Sequence, residues 1–227
     1  MRQVSNLLYC SEFLYDIHIV STLLNKAFSD YPFLVIGDFF SEDECEGVLA
    51  HIKSTDECEK AKIKSSHALD QSIRKTDIYS LTSGQDACFD THFDFFREQI
   101  EQFFNVSLLG ASDAQVLSYD KDSFYVRHAD DSSEVVDEEG VAIDYKQVAP
   151  HRIITTVLFL NSGGDDFDGG ELVFNHLSDI EGVPFCMKPK QGFMLVFPSN
   201  PYFAHEVLKV TSGHRATLVK WHDAIVH

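Results

Sequence analysis

The distribution of apolar positions divides this chain near residue 114. Before it, apolar side chains mostly recur at helical steps. Phe13, Leu14, Ile17, Val20, Leu24 and Phe28 predict an amphipathic helix over residues 12–28. Tyr31-Pro-Phe-Leu-Val-Ile-Gly-Asp-Phe-Phe40, a short apolar run bounded by Gly37, reads as a strand. Ser41-Glu-Asp-Glu44 has capping-box spacing and predicts a helix to His51 or Ser54. Polar, lysine-rich residues 55–72 read as a loop, and Ile73–Leu81 alternates as a strand. Phe89, Phe93, Phe96, Ile100 and Phe103 then predict a helix over 86–104 whose aromatic stripe packs a core.

After residue 114 the pattern changes to short strand-like runs at 115–119, 124–128, 152–160, 171–175, 193–197, 203–210 and 215–221. Asn161-Ser-Gly-Gly164, Asp168-Gly-Gly170, Pro198-Ser-Asn-Pro201 and Ser212-Gly213 supply turns between them. This spacing predicts a sandwich or barrel. Helices followed by strands give an α+β layout in which the helices buttress one sheet. Ala129–Pro150 interrupts the rhythm with Asp130, Asp131, Glu134, Asp137, Glu138, Glu139 and Asp144, and reads as a disordered loop or a lid.

Composition narrows the function classes. With 227 residues, 44% hydrophobic content and 19 Phe, the chain can build one substantial core. A formal net charge of −18 disfavours a nucleic-acid partner, because phosphate backbones repel it. It suits solubility, or attraction of a basic peptide or amine. No apolar run reaches the roughly 18 residues of a membrane span. The first residues lack a signal-peptide pattern, and the five cysteines lack CxxC spacing. Free thiols in a reducing, cytoplasmic setting are the expectation.

Candidate chemistry centres on Leu117–Asp130. His128 and Asp130 stand two apart, so in an extended segment both side chains face one way. A second His from elsewhere would complete a facial triad of the kind that holds non-haem Fe(II) with open positions. His205, opening a predicted strand, is the candidate. Arg215 begins a mostly apolar strand ten residues later. A buried guanidinium needs an anion, which a dicarboxylate or a protein carboxylate would provide. Asp165–Gly169 fails the calcium-loop spacing and reads as a turn. His51 and His67 read as solvated, His214 and His222 as surface positions, and Cys186 as a packed thiol.

These motifs, in this order, resemble the Fe(II)/2-oxoglutarate-dependent oxygenases, and among them the prolyl 4-hydroxylase-like branch. Tyr125-Val-Arg-His-Ala-Asp130 is similar to a motif of the oxygen-sensing prolyl hydroxylases. Arg152–Asn161, Gly169-Gly-Glu-Leu-Val-Phe174, Pro189–Pro198 and His205-Glu-Val207 continue the likeness, which covers about residues 30–222.

The resemblance implies a single catalytic domain over 1–227. Residues 1–110 would be mainly helical support, and 115–222 a double-stranded β-helix (jelly-roll) core with an acidic loop at 131–150. It implies Fe(II) on His128, Asp130 and His205, and 2-oxoglutarate on Arg215 and Tyr119, with O2 as oxidant and ascorbate as a possible reductant. Leu172 and Trp221 match pocket-lining positions. Arg152 and Tyr125 fall on the substrate side. Phe159 stands where those enzymes have a cosubstrate-binding tyrosine, so Thr155 or Tyr119 is expected to supply the lost hydroxyl. The leading expectation is a hydroxylase of a prolyl residue in a protein or peptide. A hydroxylase of a free amino acid or small metabolite keeps the same mechanism, and a non-catalytic metal-binding jelly roll is a third reading. Asp130 disfavours a halogenase, because a carboxylate in the triad leaves no vacant position for halide.

Overall fold

A computed structural model describes residues 33–55, the backbone of 59–60, and residues 74–139 and 142–227. The helix expected over 12–28 and most of the loop expected over 55–72 lie outside these residues. In chain order the strands are β1 Leu34–Ile36, β2 Glu59–Lys60, β3 Arg74–Lys75, β4 Asp77–Ser80, β5 Val106–Ala111, β6 Gln115–Tyr119, β7 Phe124–His128, β8 Ser132–Val136, β9 Ala142–Gln147, β10 Ile154–Phe159, β11 Phe167–Gly169, β12 Leu172–Ser178, β13 Pro184–Met187, β14 Met194–Pro198, β15 His205–Val207, β16 Val210–Gly213 and β17 Arg215–Val226. Helices α1 Glu42–Ser54 and α2 Ser83–Phe104 precede β5.

Both helices start where their side chains can satisfy free amides. Ser41 caps α1, and Glu44 reaches back to the Ser41 amide at 2.7 Å. Thr82 and Gln85 do the same for α2. Each box satisfies two amides that the helix itself leaves without partners. Asn105, in the left-handed region at φ 54°, ends α2.

Two antiparallel sheets carry the core. The larger runs β1-β14-β10-β17-β6-β4-β2, with β5 on the far part of β17. The smaller runs β13-β12-β15-β7-β3. Strand alternation then decides what each side chain meets. On the helix side, Ile154, Leu158, Met194, Val196, Ala216 and Leu218 pack with Val48, Leu49, Ile52, Phe89, Phe93 and Ile100. Between the sheets, Val157, Phe159, Leu195 and Phe197 meet Leu172, Phe174, Phe203 and Val207. The larger sheet is covered on both faces, which is why its central strands read as continuous apolar runs rather than alternating ones. This is the jelly-roll architecture expected from the sequence, buttressed by helices on one face. No helix among the described residues is long and apolar enough to cross a membrane.

Several expectations need correction. The strand expected over 73–81 is two strands. β3 pairs with β7 of the smaller sheet, and β4 pairs with β6 of the larger. Thr76, whose hydroxyl donates to the Ser118 carbonyl at 2.7 Å, marks the crossing. The run 203–210 breaks into a turn of 3-10 helix at Pro201–Phe203, then β15, then β16. Phe103 is 43% exposed, at the C-terminal end of the α2 stripe.

The acidic segment, expected as a disordered loop or a lid, is ordered into strands in its described part. β8 and β9 form a hairpin. At its neck the Asp131 carbonyl accepts from the amides of Val148 and Ala149. Glu134 pairs with Arg127 and accepts from the Tyr145 hydroxyl, which also meets His176 at 2.9 Å. The buried acids are therefore partnered, while Asp137, Glu138 and Glu139 stay exposed.

His222 is also not a surface residue. It is 2% exposed, stacks on Phe93 of α2 at 4.3 Å, and lies 3.0 Å from the Thr156 hydroxyl. It sits on the helix side of β17, next to Lys220, which reaches Asp90 at 2.7 Å and Asp86 at 3.4 Å. Burial, with smaller contributions from Lys220 and Arg97, pushes its pKa down to about 3. The unfolded chain therefore takes up this proton first, and stability falls as pH drops from about 6.5 toward 3. We expect His222→Gln to lose less stability than the wild type over that window. The difference approaches about 1.4 kcal/mol per pH unit, read by urea denaturation at stepped pH.

Candidate active site

β7 and β15 are neighbours in the smaller sheet, and their register sets His128 opposite His205. Side chains directly opposed across an antiparallel pair start about 4.5–5.5 Å apart, so two imidazoles meet there without any loop having to deliver them. Their ring centroids are 4.4 Å apart. Asp130 follows β7 by two residues, and its carboxylate joins the two rings: one donor atom from each residue falls within 4.8 Å of the others.

Each imidazole is held from behind. His128 Nδ1 lies 3.0 Å from the Val126 carbonyl and His205 Nδ1 lies 2.9 Å from the Phe203 carbonyl. A carbonyl only accepts, so Nδ1 carries the proton and Nε2 presents its lone pair. Tyr125 stacks on His128 at 3.6 Å between centroids, inclined by 13°. Burial, and then His205, push the His128 pKa down to about 3, against the pull of Asp130. Burial opposes the Asp130 charge, but the imidazoles, the Thr155 hydroxyl and Trp221 outweigh it and lower its pKa. Two imidazoles and one carboxylate are the donor set that Fe(II) takes in a facial triad, so these residues fit the metal.

The larger sheet supplies the opposite wall. Along β17, Arg215, Thr217, Val219 and Trp221 all point into one cavity of about 500 Å³, and His128, Asp130 and His205 line the same cavity. That is the period of two at work. Arg215 is 1% exposed and lies in register with Tyr119, whose ring sits 4.8 Å from the guanidinium carbon. Among the described residues no carboxylate pairs with it, and its Nε has no hydrogen-bond partner. Its polar neighbours are the Thr217 hydroxyl at 3.5 Å and the Tyr119 hydroxyl, with Glu171 acting only from beyond ion-pair distance, which is little compensation for a buried cation. An orphaned guanidinium facing a metal triad fits an anionic cosubstrate.

Gly170 makes room for this arginine. It has φ +70°, and a Cβ there would come within 2.8 Å of Arg215 Cδ. Gly169, at φ +72°, would bring a Cβ within 2.2 Å of the Lys209 carbonyl oxygen. The Gly-Gly pair is thus the backbone's way past β16 and the arginine stem.

The remaining sequence-derived residues reach the same cavity with unequal roles. Leu172 and Trp221 line it. Thr155, paired in register with Trp221, donates to Asp130 Oδ2 at 2.7 Å and lies 2.8 Å from the Ser199 hydroxyl. Its hydroxyl is engaged in holding the carboxylate. Arg152 stacks over Trp221 at 3.7 Å and donates to the Asp130 carbonyl at 3.1 Å.

Sequence reading missed three residues. Thr217 is the register partner of Phe159 and places a hydroxyl beside Arg215. Its position two residues after Arg215 was the available signal. Arg74 lies over Tyr125 at 4.5 Å, delivered by the β3–β7 pairing, and nothing local marked it. Glu134 lines the cavity from the hairpin, and its chemistry depends on Arg127, seven residues away.

Residues 114–223 match the family model described as 2OG-Fe(II) oxygenase superfamily. A 70-residue stretch is 39% identical to mouse prolyl 3-hydroxylase 2, covering 31% of this chain and 9% of that protein. The chain thus spans only a small part of that relative. A Pseudomonas putida prolyl-4-hydroxylase structure aligns over 90% of this chain and 99% of its own, with TM-score 0.66 and 24% identity. A Trichoplax adhaerens prolyl hydroxylase, solved in complex with a hypoxia inducible factor oxygen degradation domain peptide, aligns over 94% of both chains with TM-score 0.63 and 16% identity. At these identities the structural likeness speaks for the fold. The converging triad lies within the matched residues 114–223, so that segment is similar to the 2OG-Fe(II) oxygenase superfamily, and the chain has the fold of the prolyl hydroxylases it aligns with.

Proposed function

We propose that this chain is an Fe(II)- and 2-oxoglutarate-dependent dioxygenase that hydroxylates a prolyl residue in a protein or peptide. The observation that carries the reading is one cavity holding both the His128–Asp130–His205 triad and a buried Arg215 that has no ion-pair partner among the described residues. Bound Fe(II) with 2-oxoglutarate supplies the oxidising power of O2 for an unactivated C–H bond, with succinate and CO2 as co-products. The chain's own residues hold, orient and enclose.

His128 and His205 offer Nε2 lone pairs, and Asp130 offers an oxygen that Thr155 orients. Arg215 receives the far carboxylate of the cosubstrate, with Tyr119 and Thr217 beside it. Phe159 carries no hydroxyl, and Thr217, opposite it on β17, takes that place in preference to Thr155. Apolar Leu172, Val157 and Val219 exclude water from the cavity, which strengthens every charged contact inside.

A peptidyl substrate is supported by the rim. The β8–β9 hairpin contributes Ser133, Glu134 and Val136, and Arg74 and Arg152 also line the cavity. Polar and guanidinium groups of this kind suit backbone carbonyls of an extended segment. The Trichoplax prolyl hydroxylase of the same fold was solved in complex with a peptide, which supports the same choice.

Succinate release in the presence of Fe(II), 2-oxoglutarate and proline-containing peptides, against free amino acids at equal concentration, tests the substrate. Stimulation by peptide with a gain of 16 Da on proline is the expected result, and turnover confined to free amino acids overturns the peptide reading. His128→Ala and His205→Ala should each lose iron, measured as metal content after dialysis. Arg215→Met should keep iron but weaken 2-oxoglutarate binding by about 30-fold or more. That corresponds to about 2 kcal/mol or more for an anion left without its buried partner, read by calorimetry under argon.

A further inference from the structure

Away from the His128–Asp130–His205 cavity, the described residues hold a second convergence of side chains that could ligate a metal. Glu44 stands in the first turn of α1, and Cys88 and His92 stand four apart on one face of α2. His92 Nε2 lies 3.0 Å from Glu44 Oε1, the Cys88 thiol lies 3.3 Å from the same oxygen, and one donor atom from each residue falls within 4.8 Å of the others. The helices pack on the face of the larger sheet opposite the triad, so this cluster is separate from the catalytic cavity.

We propose that Glu44, Cys88 and His92 form a binding site for a borderline divalent cation, Zn²⁺ being the best fit, that ties α1 to α2. Thiolate, imidazole and carboxylate are its three usual donors. Bond lengths of about 2.0–2.3 Å in a tetrahedron put ligand atoms about 3.3–3.8 Å apart, so the separations here need only small adjustments. Two ligands at i and i+4 on one helix face are a common metal-binding spacing.

The carboxylate is also oriented from behind. Glu44 Oε2 is held by the Ser41 amide at 2.7 Å and hydroxyl at 2.8 Å, which leaves Oε1 facing Cys88 and His92. That is the arrangement of an outer-shell hydrogen bond fixing a metal ligand. Phe39 and Phe40 flank the His92 ring at 5.6 and 5.4 Å. The three residues are half-buried, so water can enter as the fourth ligand. On binding, the S–H proton of Cys88 leaves to solvent, and the Nε2 proton that His92 gives to Glu44 is replaced by the Nδ1–H tautomer, so that sulfur–metal and nitrogen–metal bonds form. One thiolate and one carboxylate then balance the divalent charge.

Co²⁺ is the probe, because only a sulfur-ligated ion gives thiolate-to-cobalt charge-transfer absorption in the near ultraviolet. The His128–Asp130–His205 triad has no sulfur, so it cannot produce that band. The full chain, stripped of metal, is titrated with Co²⁺ and then with Zn²⁺. The expected result is a charge-transfer band that Zn²⁺ abolishes, and that Cys88→Ser loses together with one cobalt per chain. The serine keeps a donor toward Glu44, so the helix pair should survive. The loss of affinity at this site should exceed roughly the 10–100-fold typical of outer-shell changes. No band in the wild type at saturating Co²⁺, or a band unaltered in Cys88→Ser, overturns the proposal and leaves a hydrogen-bonded helix clamp only. Because the band reports sulfur alone, the outcome is independent of whether the triad binds iron.

Discussion

The pairing of β7 with β15 is the constraint on which the rest depends. It sets His128 against His205 in register, and Asp130 is then within reach because it follows β7 by two residues. A slip of one residue would turn the imidazoles to opposite faces of the sheet and dissolve the triad. The register is held by what surrounds it. β12 pairs with β15 on its other side, setting Phe174 opposite His205, and the Phe174, Phe197 and Phe203 rings pack around that point. The aromatic core between the sheets is thus also the mould of the site.

The larger sheet works as a divider. β17 is buried on both faces, and its alternation sends Arg215, Thr217, Val219 and Trp221 to the cavity while Ala216, Leu218, Lys220 and His222 face the helices. One strand therefore lines the candidate site and packs the scaffold at once. Lys220 and His222 are polar residues in a closed layer, and each has a partner there: Asp86 and Asp90 for the lysine, Phe93 and Thr156 for the histidine. Arg215 stands out against them. It is buried to the same degree but has no protein anion among the described residues, and an unpaired buried charge is costly enough that its persistence points to a ligand.

The hairpin of β8 and β9 connects the His128–Asp130–His205 cluster to the rim. It leaves the site directly after Asp130, and Asp131 anchors its neck through backbone and side chain alike, with the Gln147 amide on its carboxylate at 3.1 Å. The Arg127–Glu134–Tyr145–His176 chain of contacts then ties the hairpin to β7 and β12.

Much of this was readable from local pattern. The capping box at Ser41 and Glu44, the stripe of Phe89, Phe93 and Ile100, and strands 115–119 and 124–128 depend on neighbours within a few residues, where spacing and side-chain chemistry act directly. His-x-Asp likewise states its own geometry. Other features depend on contacts far along the chain. His222 looks like a polar strand end until α2 covers it, Arg74 acquires its place only through a crossing at Thr76, and Thr217 gains meaning only opposite Phe159. The acidic run of 131–150 reads as a loop because its composition is polar, yet buried partners turn Glu134 and Asp131 into structural groups. The amino-acid order by itself determined which residues could ligate iron and which elements would form. Only the tertiary structure decided which of them meet, because strand register and layer packing bring together groups between which the sequence carries no periodicity.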